Sequence, residues 1–185
     1  ACGTRDILPS DFGLERIRAM NFQDRLADIR TRMQEEKLDL LIGVHDGGHF
    51  IEKPNPVMVL SGFKSIGAAA VLLHVDGAMA LIVTPHWEAE RAAACCPDAR
   101  IVSADDVVDG VRGTIGKSAA AAAIAGLRAL PYDTASRLAE ALPAARAADR
   151  LVFDAARTKT AVEIANARAA TRIAERGYER LIEIA

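Results

Sequence analysis

Apolar residues recur along this chain at two spacings, one typical of helices and one typical of buried strands. Leu26, Ile29 and Met33 lie three or four residues apart between charged residues, which predicts an amphipathic helix. Asn21 is a residue type that caps helices, and Asp24 stands in the acidic position of a capping box. The first regular element is therefore expected to be a helix that begins at Asn21.

Apolar runs indicate the strands, which lie at residues 38–44, 68–74, 78–83, 100–102, 122–127 and 151–153. Asp76-Gly77 between the second and third runs predicts an antiparallel hairpin with a type I′ turn. Residues 45–56 carry two Gly and two Pro without any period, so they are expected to form a loop.

Further helices are expected between these strands. One begins at Pro85, one is capped by Ser103, one begins at Asp133 or Thr134, and a long one begins at Arg157. Helices and strands thus alternate. The order predicts an α/β fold with a mixed sheet of five to six strands flanked by helices.

The last predicted helix continues to the final residue without a closing Gly, Asn or Pro. It carries an apolar stripe of Ile164, Ala167, Ile173 and Leu181, which needs a partner surface. We therefore expect the chain to be the front part of a longer protein, with its chemistry in the part that follows.

Composition narrows the function classes. The chain has 185 residues, of which 51% are hydrophobic, so it is able to bury a full core. Its net charge of −2 provides no field for binding nucleic acid or an anionic membrane. No apolar run reaches the roughly 18 residues of a membrane helix. Three cysteines, two of them adjacent, suggest a reduced, cytoplasmic protein.

The candidate catalytic and binding motifs are weak. Residues 110–118 resemble a phosphate-binding loop, but the first Gly lies one residue too far from Gly116. His45 and His49 share the loop with Asp46 and Glu52, which leaves a metal site as the alternative to a polar loop. Neither a nucleophile elbow nor a His-Glu-x-x-His motif is present. The residues themselves therefore predict a non-catalytic α/β domain.

Two segments nevertheless resemble one family. Residues 55–63 (N-P-V-M-V-L-S-G-F) resemble the N-x-x-Y-L-T-G-F segment of creatinase, prolidase and Xaa-Pro aminopeptidase N-terminal domains. Residues 157–170 (R-T-K-T-A-V-E-I-A-N-A-R-A-A) resemble the R-x-x-K-(S/T)-x-x-E-I-x-x-x-R-x-A junction that opens the family's pita-bread catalytic domain.

The resemblance implies that the chain is divided into three segments. Residues 1–20 are a lead-in, and residues 21–156 form the N-terminal domain, which contains a ribonuclease-H-like motif. Residues 157–185 are the junction and first helix of a catalytic domain that is missing from this chain. Arg157, Lys159, Glu163 and Arg168 are the expected junction residues, and Lys159 is expected to pair with Glu163 one helical turn later.

The family's two divalent metals, often manganese, are bound in that missing domain, so no catalytic or metal-binding residue is transferred to this chain. The resemblance further implies a homodimer in which the N-terminal domain narrows access to the partner's active site. The parent protein is expected to hydrolyse a small peptide or amide. The expected access residues are His45, His49, Phe63 and Lys64, with Phe63 as an apolar wall or as a core residue.

A reading from another class stays open. The chain could be a free-standing α/β binding or dimerisation module whose last helix docks on a partner.

Overall fold

A computed structural model describes residues 22–48, 55–115 and 121–184 of the chain. These residues form seven α-helices, six strands and one short 3-10 helix (Leu127–Ala129). The helices are α1 (Phe22–Glu35), α2 (Pro56–Ser61), α3 (Glu88–Cys95), α4 (Val107–Ile115), α5 (Tyr132–Ala141), α6 (Asp149–Arg157) and α7 (Ala161–Ile184). The strands are β1 (Leu40–His45), β2 (Ala69–His74), β3 (Met79–Val83), β4 (Arg100–Ser103), β5 (Ala122–Ala125) and β6 (Arg146–Ala147).

The strands form one mixed sheet in the order β4-β3-β2-β1-β5-β6. Strand β2 is antiparallel to both of its neighbours, whereas the β1–β5, β5–β6 and β3–β4 pairs are parallel. Helices cover the sheet, so the α/β class and the mixed six-stranded sheet are confirmed.

Each face of the sheet has its own core because successive strand residues point to opposite faces. Helices α1, α2, α3 and α6 pack on one face, and α4 and α5 pack on the other. The first core includes Ile29, Met33, Leu41, Leu60, Phe63, Leu81, Leu151 and Val152. The second includes Leu40, Ile42, Leu72, Ile82, Val108, Val111, Ile124 and Leu138.

The hairpin predicted at Asp76-Gly77 joins β2 to β3, but the prediction of a type I′ turn is wrong. Gly77 has φ of 100°, whereas Asp76 does not have the positive φ that a type I′ turn requires. Instead, the Gly77 N–H donates to the His74 carbonyl at 2.9 Å, and the Asp76 carboxylate accepts from the Ala78 N–H at 2.9 Å. This side-chain bond stabilises Asp76 in an ordinary turn conformation, and only Gly77 is left-handed.

Two further corrections concern short elements. Residues 151–153, predicted as a strand, lie inside helix α6, where Leu151, Val152, Ala155 and Ala156 are buried at helical spacing. Residues 56–61, for which no helix was predicted, form helix α2. The side chain of its capping residue Asn55 accepts the Met58 N–H at 3.2 Å.

Asp106, rather than the predicted Ser103, caps α4. Its carboxylate accepts the N–H groups of Val108 at 2.9 Å and Asp109 at 3.0 Å. Arg137 on α5 also donates two bonds of 3.0 Å to Asp106, and these bonds hold the pKa of that carboxyl below its usual range. Ser103 is still part of strand β4, so it lies too early in the chain to cap the helix.

The long helix predicted from Arg157 is broken near its start. Helix α6 ends at Arg157, and α7 begins at Ala161 and runs for 24 residues. No residue of α7 is buried.

Residues 110–118 resemble a phosphate-binding loop in sequence, and their described part, residues 110–115, belongs to helix α4. Among the described residues, none of the helices combines the length and apolar character that crossing a membrane requires.

Candidate functional site

Three loops meet at the edge of the sheet where β1, β3 and β4 end. These strands run in the same direction, so residues 45–48 after β1 and residues 84–87 after β3 lie at one edge. Residues 62–68 join them because they lead into β2, which runs in the opposite direction. We call these three loops the carboxyl edge. In open α/β sheets, ligands bind at this kind of edge.

The three loops are in backbone contact. A Cβ atom on Gly47 would lie 2.5 Å from the Ile66 carbonyl oxygen, and one on Gly67 would lie 2.1 Å from the Thr84 carbonyl oxygen. Neither position has room for a side chain. The loops therefore form one continuous layer.

Two charged residues of α3 bind the loop at residues 62–68. The fully buried Glu88 carboxylate accepts the Ile66 N–H at 2.8 Å and the Arg91 Nε–H at 3.0 Å. Arg91 also donates to the Lys64 carbonyl at 2.8 Å, and its guanidinium lies 4.4 Å from the centre of the Phe63 ring. Contacts along residues 63–66 thus fix the backbone that presents Lys64.

The four candidate access residues have different placements. The Lys64 side chain is exposed, whereas His45 is half-buried, 4.0 Å from the Asp46 carboxylate. Phe63 is completely buried, so the apolar-wall interpretation is wrong and its alternative, a core residue, holds. The ring packs into the first core beneath Arg91 and supports the loop from below. His49 lies outside the described residues.

Two exposed apolar side chains at the carboxyl edge are not among the residues that the sequence pattern predicted to be functional. Ile66 is 59% exposed and Trp87 is 63% exposed, on loops that touch through Gly67. Trp87 is the one Trp of the chain, and its polar neighbours His86 and Glu88 were the signal that could have drawn attention to it. Exposed apolar groups beside a lysine give this edge the composition of a contact surface.

His86 bridges two polar groups next to the same edge. Its Nδ1 atom lies 2.5 Å from the Ser103 hydroxyl oxygen, and its Nε2 atom lies 2.5 Å from an Asp105 carboxylate oxygen. The arrangement resembles a nucleophile, base and carboxylate, but all three residues are exposed. Acyl transfer needs a water-excluded site with oriented oxyanion donors. These three exposed residues instead link the β3 and β4 loops.

The second candidate region is the junction between α6 and α7. Arg25 of α1 is 1% exposed and donates to both carboxylate oxygens of Glu163, at 3.0 Å and 2.6 Å. It also donates to the Thr158 carbonyl at 2.8 Å. One buried guanidinium therefore binds the corner between two helices and the first turn of α7.

Glu163 and Thr160 also form a reciprocal capping box. The Thr160 N–H donates to Glu163 Oε2 at 2.7 Å, and the Glu163 N–H donates to the Thr160 hydroxyl at 3.2 Å. Burial by itself would raise the pKa of Glu163, but hydrogen bonds from Arg25 and Thr160 outweigh it and hold this pKa below its usual value. The carboxylate thus stays charged and is shared between two structural roles.

The predicted Lys159–Glu163 ion pair is wrong. Lys159 instead donates to the Ala156 carbonyl at the end of α6, because Lys159 precedes α7 and is not on its helical surface. Arg157 is exposed and lies 4.0 Å from Asp154.

Arg168 lies on the exposed surface of α7, where it lines a groove of about 670 Å³ together with Met58 and Lys159. A second cleft of about 570 Å³ separates the first turn of α7 from α1 and the end of α3.

The described residues contain no candidate metal-binding site. Within those residues, no group of three or more His, Cys, Asp or Glu side chains is placed to hold a metal ion. The described residues therefore do not fit a metal pair, and no catalytic step is assigned to them.

Comparison with known proteins adds a family. A model described as the Creatinase/Prolidase N-terminal domain matches residues 25–158. A comparison with curated proteins found no match to this chain.

Among solved structures, the chain is similar to an Xaa-Pro dipeptidase from Bacillus anthracis, with a TM-score of 0.70 and 19% identity. The match covers 89% of this chain and 44% of the dipeptidase, so this chain spans less than half of that protein.

Shorter structures match almost completely. The N-terminal domain of the cytoplasmic peptidase PepQ from Mycobacterium tuberculosis H37Rv has a TM-score of 0.54 and 19% identity, with 71% of this chain and 97% of that chain covered. An Xaa-Pro aminopeptidase structure from Streptococcus pyogenes has a TM-score of 0.58 and 18% identity, with coverages of 72% and 96%. At these identities the likeness establishes the fold.

Proposed function

The chain belongs to the creatinase/prolidase N-terminal domain family, and on that premise we propose that it is the non-catalytic N-terminal domain of a dimeric, metal-dependent hydrolase. The family match makes it a domain of a peptidase family. The proposal adds that α7 leads into a catalytic domain, and that this chain controls access to the active site.

The main support for this proposal is the exposed apolar surface of α7. Val162, Ile173, Leu181 and Ile184 are each at least 66% exposed. At 100° per residue, six of the eight charged residues of α7 lie in one strip (Arg168, Arg172, Glu175, Arg176, Glu179 and Glu183), and much of the remaining circumference is apolar or small. A helix with this pattern is normally covered by further protein.

The proposed cover is a catalytic domain that follows α7. The 44% coverage of the Bacillus dipeptidase supports this, because that protein has room for a second domain of similar size. The proposed substrate is a small peptide or amide. Its C–N bond would be hydrolysed by water activated at two divalent metals, manganese or a similar ion, bound in that second domain.

The carboxyl edge is the proposed access surface. In the proposed homodimer, the exposed Lys64, Ile66 and Trp87 lie at the mouth of the partner subunit's active site, with His45 behind them. The Lys64 ammonium would attract the acidic end of a substrate, and the two apolar side chains would exclude water. We place the protein in the cytoplasm, as the name of the PepQ relative indicates for that protein.

The test compares residues 1–185 with the longer polypeptide of the native gene. Both are assayed on Xaa-Pro dipeptides and small amides with manganese added, and again with zinc or cobalt. The proposal predicts turnover by the longer polypeptide and none by residues 1–185. Turnover by residues 1–185 alone would refute the proposal.

A further inference from the structure

We infer that Arg25 is a positioning residue that sets the direction of α7 relative to the sheet domain. Its guanidinium binds the Thr158 carbonyl, just after α6, and the Glu163 carboxylate, in the first turn of α7. The first acceptor directly follows the last residue of α6, and the second lies beyond the break, within α7. A single planar group that binds both fixes the angle between them.

The rest of α7 offers little to fix that angle. None of its described residues is buried, and within the described part of the chain the hydrogen bonds that join it to the sheet domain run from Arg25 to Glu163. A helix rises about 1.5 Å per residue, so a small change at the first turn moves the far end of α7 by many ångströms. The first turn therefore controls the position of the whole helix.

The chemistry of Arg25 is suited to this task. The residue is 1% exposed, and its Nε atom is buried without a hydrogen-bond partner among the described residues, so its bonding is concentrated at the junction. A lysine would keep the charge but not the fork of two parallel donors. The arrangement is thus specific to arginine.

This inference rests on the proposed function in one respect. If a catalytic domain follows α7, Arg25 also sets how that domain faces the carboxyl edge. The contacts of Arg25 with Thr158 and Glu163 set the direction of α7 with or without that premise.

The test measures the direction of α7 by pulsed electron spin resonance. Spin labels at the exposed positions Glu140 on α5 and Ala174 on α7 report one distance, with Cys2 and Cys95 replaced by serine. Amide hydrogen exchange at residues 160–164 is measured in parallel. The isolated N-terminal domain of the Mycobacterium relative supports work on residues 1–185 alone.

We expect Arg25→Met to broaden or shift the distance distribution and to speed exchange in the first turn of α7 by about tenfold or more. Glu163→Gln keeps the capping box, since Gln serves there as well as Glu, but weakens the bond to Arg25; it should give the same change in distance. Arg25→Lys should give an intermediate result.

Two variants serve as controls. Thr160→Val removes the cap but leaves Arg25 and Glu163 paired, so it should speed exchange without moving the mean distance. Arg32→Met breaks an exposed pair with Asp28 on the same helix and should change neither measurement. If Arg25→Met unfolds the domain, Glu163→Gln decides the question. An unchanged distance distribution in folded Arg25→Met or Glu163→Gln protein would overturn the inference.

Discussion

Two buried charged residues, Glu88 and Arg25, each bind one of the two regions for which we propose a role. Each residue is at most 1% exposed. Burying a charge is costly unless it is paired and hydrogen-bonded. Glu88 meets this requirement with Arg91 and the Ile66 N–H, and Arg25 meets it with Glu163. The first pair holds a contact loop, and the second holds the junction.

The role of the carboxyl edge is testable at single residues. In the longer polypeptide, Lys64→Ala and Trp87→Ala should each raise KM for an acidic or dipeptide substrate by roughly tenfold, with little change in kcat, because they remove binding that is equal in ground and transition states. Steady-state kinetics provides the measurement.

Lys37→Asn is the matched control for Lys64. It removes an exposed lysine at the opposite end of β1, and Asn tolerates the φ of 55° found there. A KM that stays at the wild-type value in both edge variants would argue against an access role.

At the scale of elements, local sequence predicted five of the six strands, but it missed the two-residue strand β6 and the short helix α2, and it indicated a strand at residues 151–153 of α6. The six residues of α2 contain Val57 and Val59, β-branched residues that favour strands, and the helix forms because Asn55 caps it and its apolar residues pack in the core. In α6, Leu-Val-Phe at 151–153 has a strand-like composition, yet the helical face that includes Ala155 is buried. Tertiary packing outweighed propensity in both cases.

The junction has a specific dependence on pH. The pKa of Glu163 is lower in the folded chain than in the unfolded chain, so its contribution to stability is fully present above the unfolded value of 4.5 and is lost as the pH falls through the folded value. At neutral pH, Glu163→Gln should cost about 1 kcal/mol, a modest figure because the carboxylate is partly exposed and screened.

This difference between wild type and Glu163→Gln should shrink as the pH falls below about 4.5. Urea unfolding followed by circular dichroism measures it across the pH range. Glu179→Gln, an exposed change on the same helix, is the control and should show no such dependence. A difference that stays constant on acidification would mean that the charge of Glu163 does not stabilise the junction.

At the scale of the whole molecule, the order of helices and strands and two motif segments were sufficient to predict the fold and the family. The long-range contacts at the junction were not predictable in the same way. Arg25 and Glu163 are 138 residues apart, and no local pattern connects them. The capping box at Thr160 and Glu163 is visible in the sequence as T-x-x-E, but the sequence carries no sign of a more distant partner for Glu163 and offers only the nearby Lys159.

We propose that this domain works at the front of a larger hydrolase. The most direct test is the intact mass of the product expressed from the native gene. The account predicts a mass about twice the 19.7 kDa of this chain, in keeping with its 44% coverage of the Bacillus dipeptidase. A mass of 19.7 kDa would contradict it and would favour a free-standing module whose α7 docks on another protein.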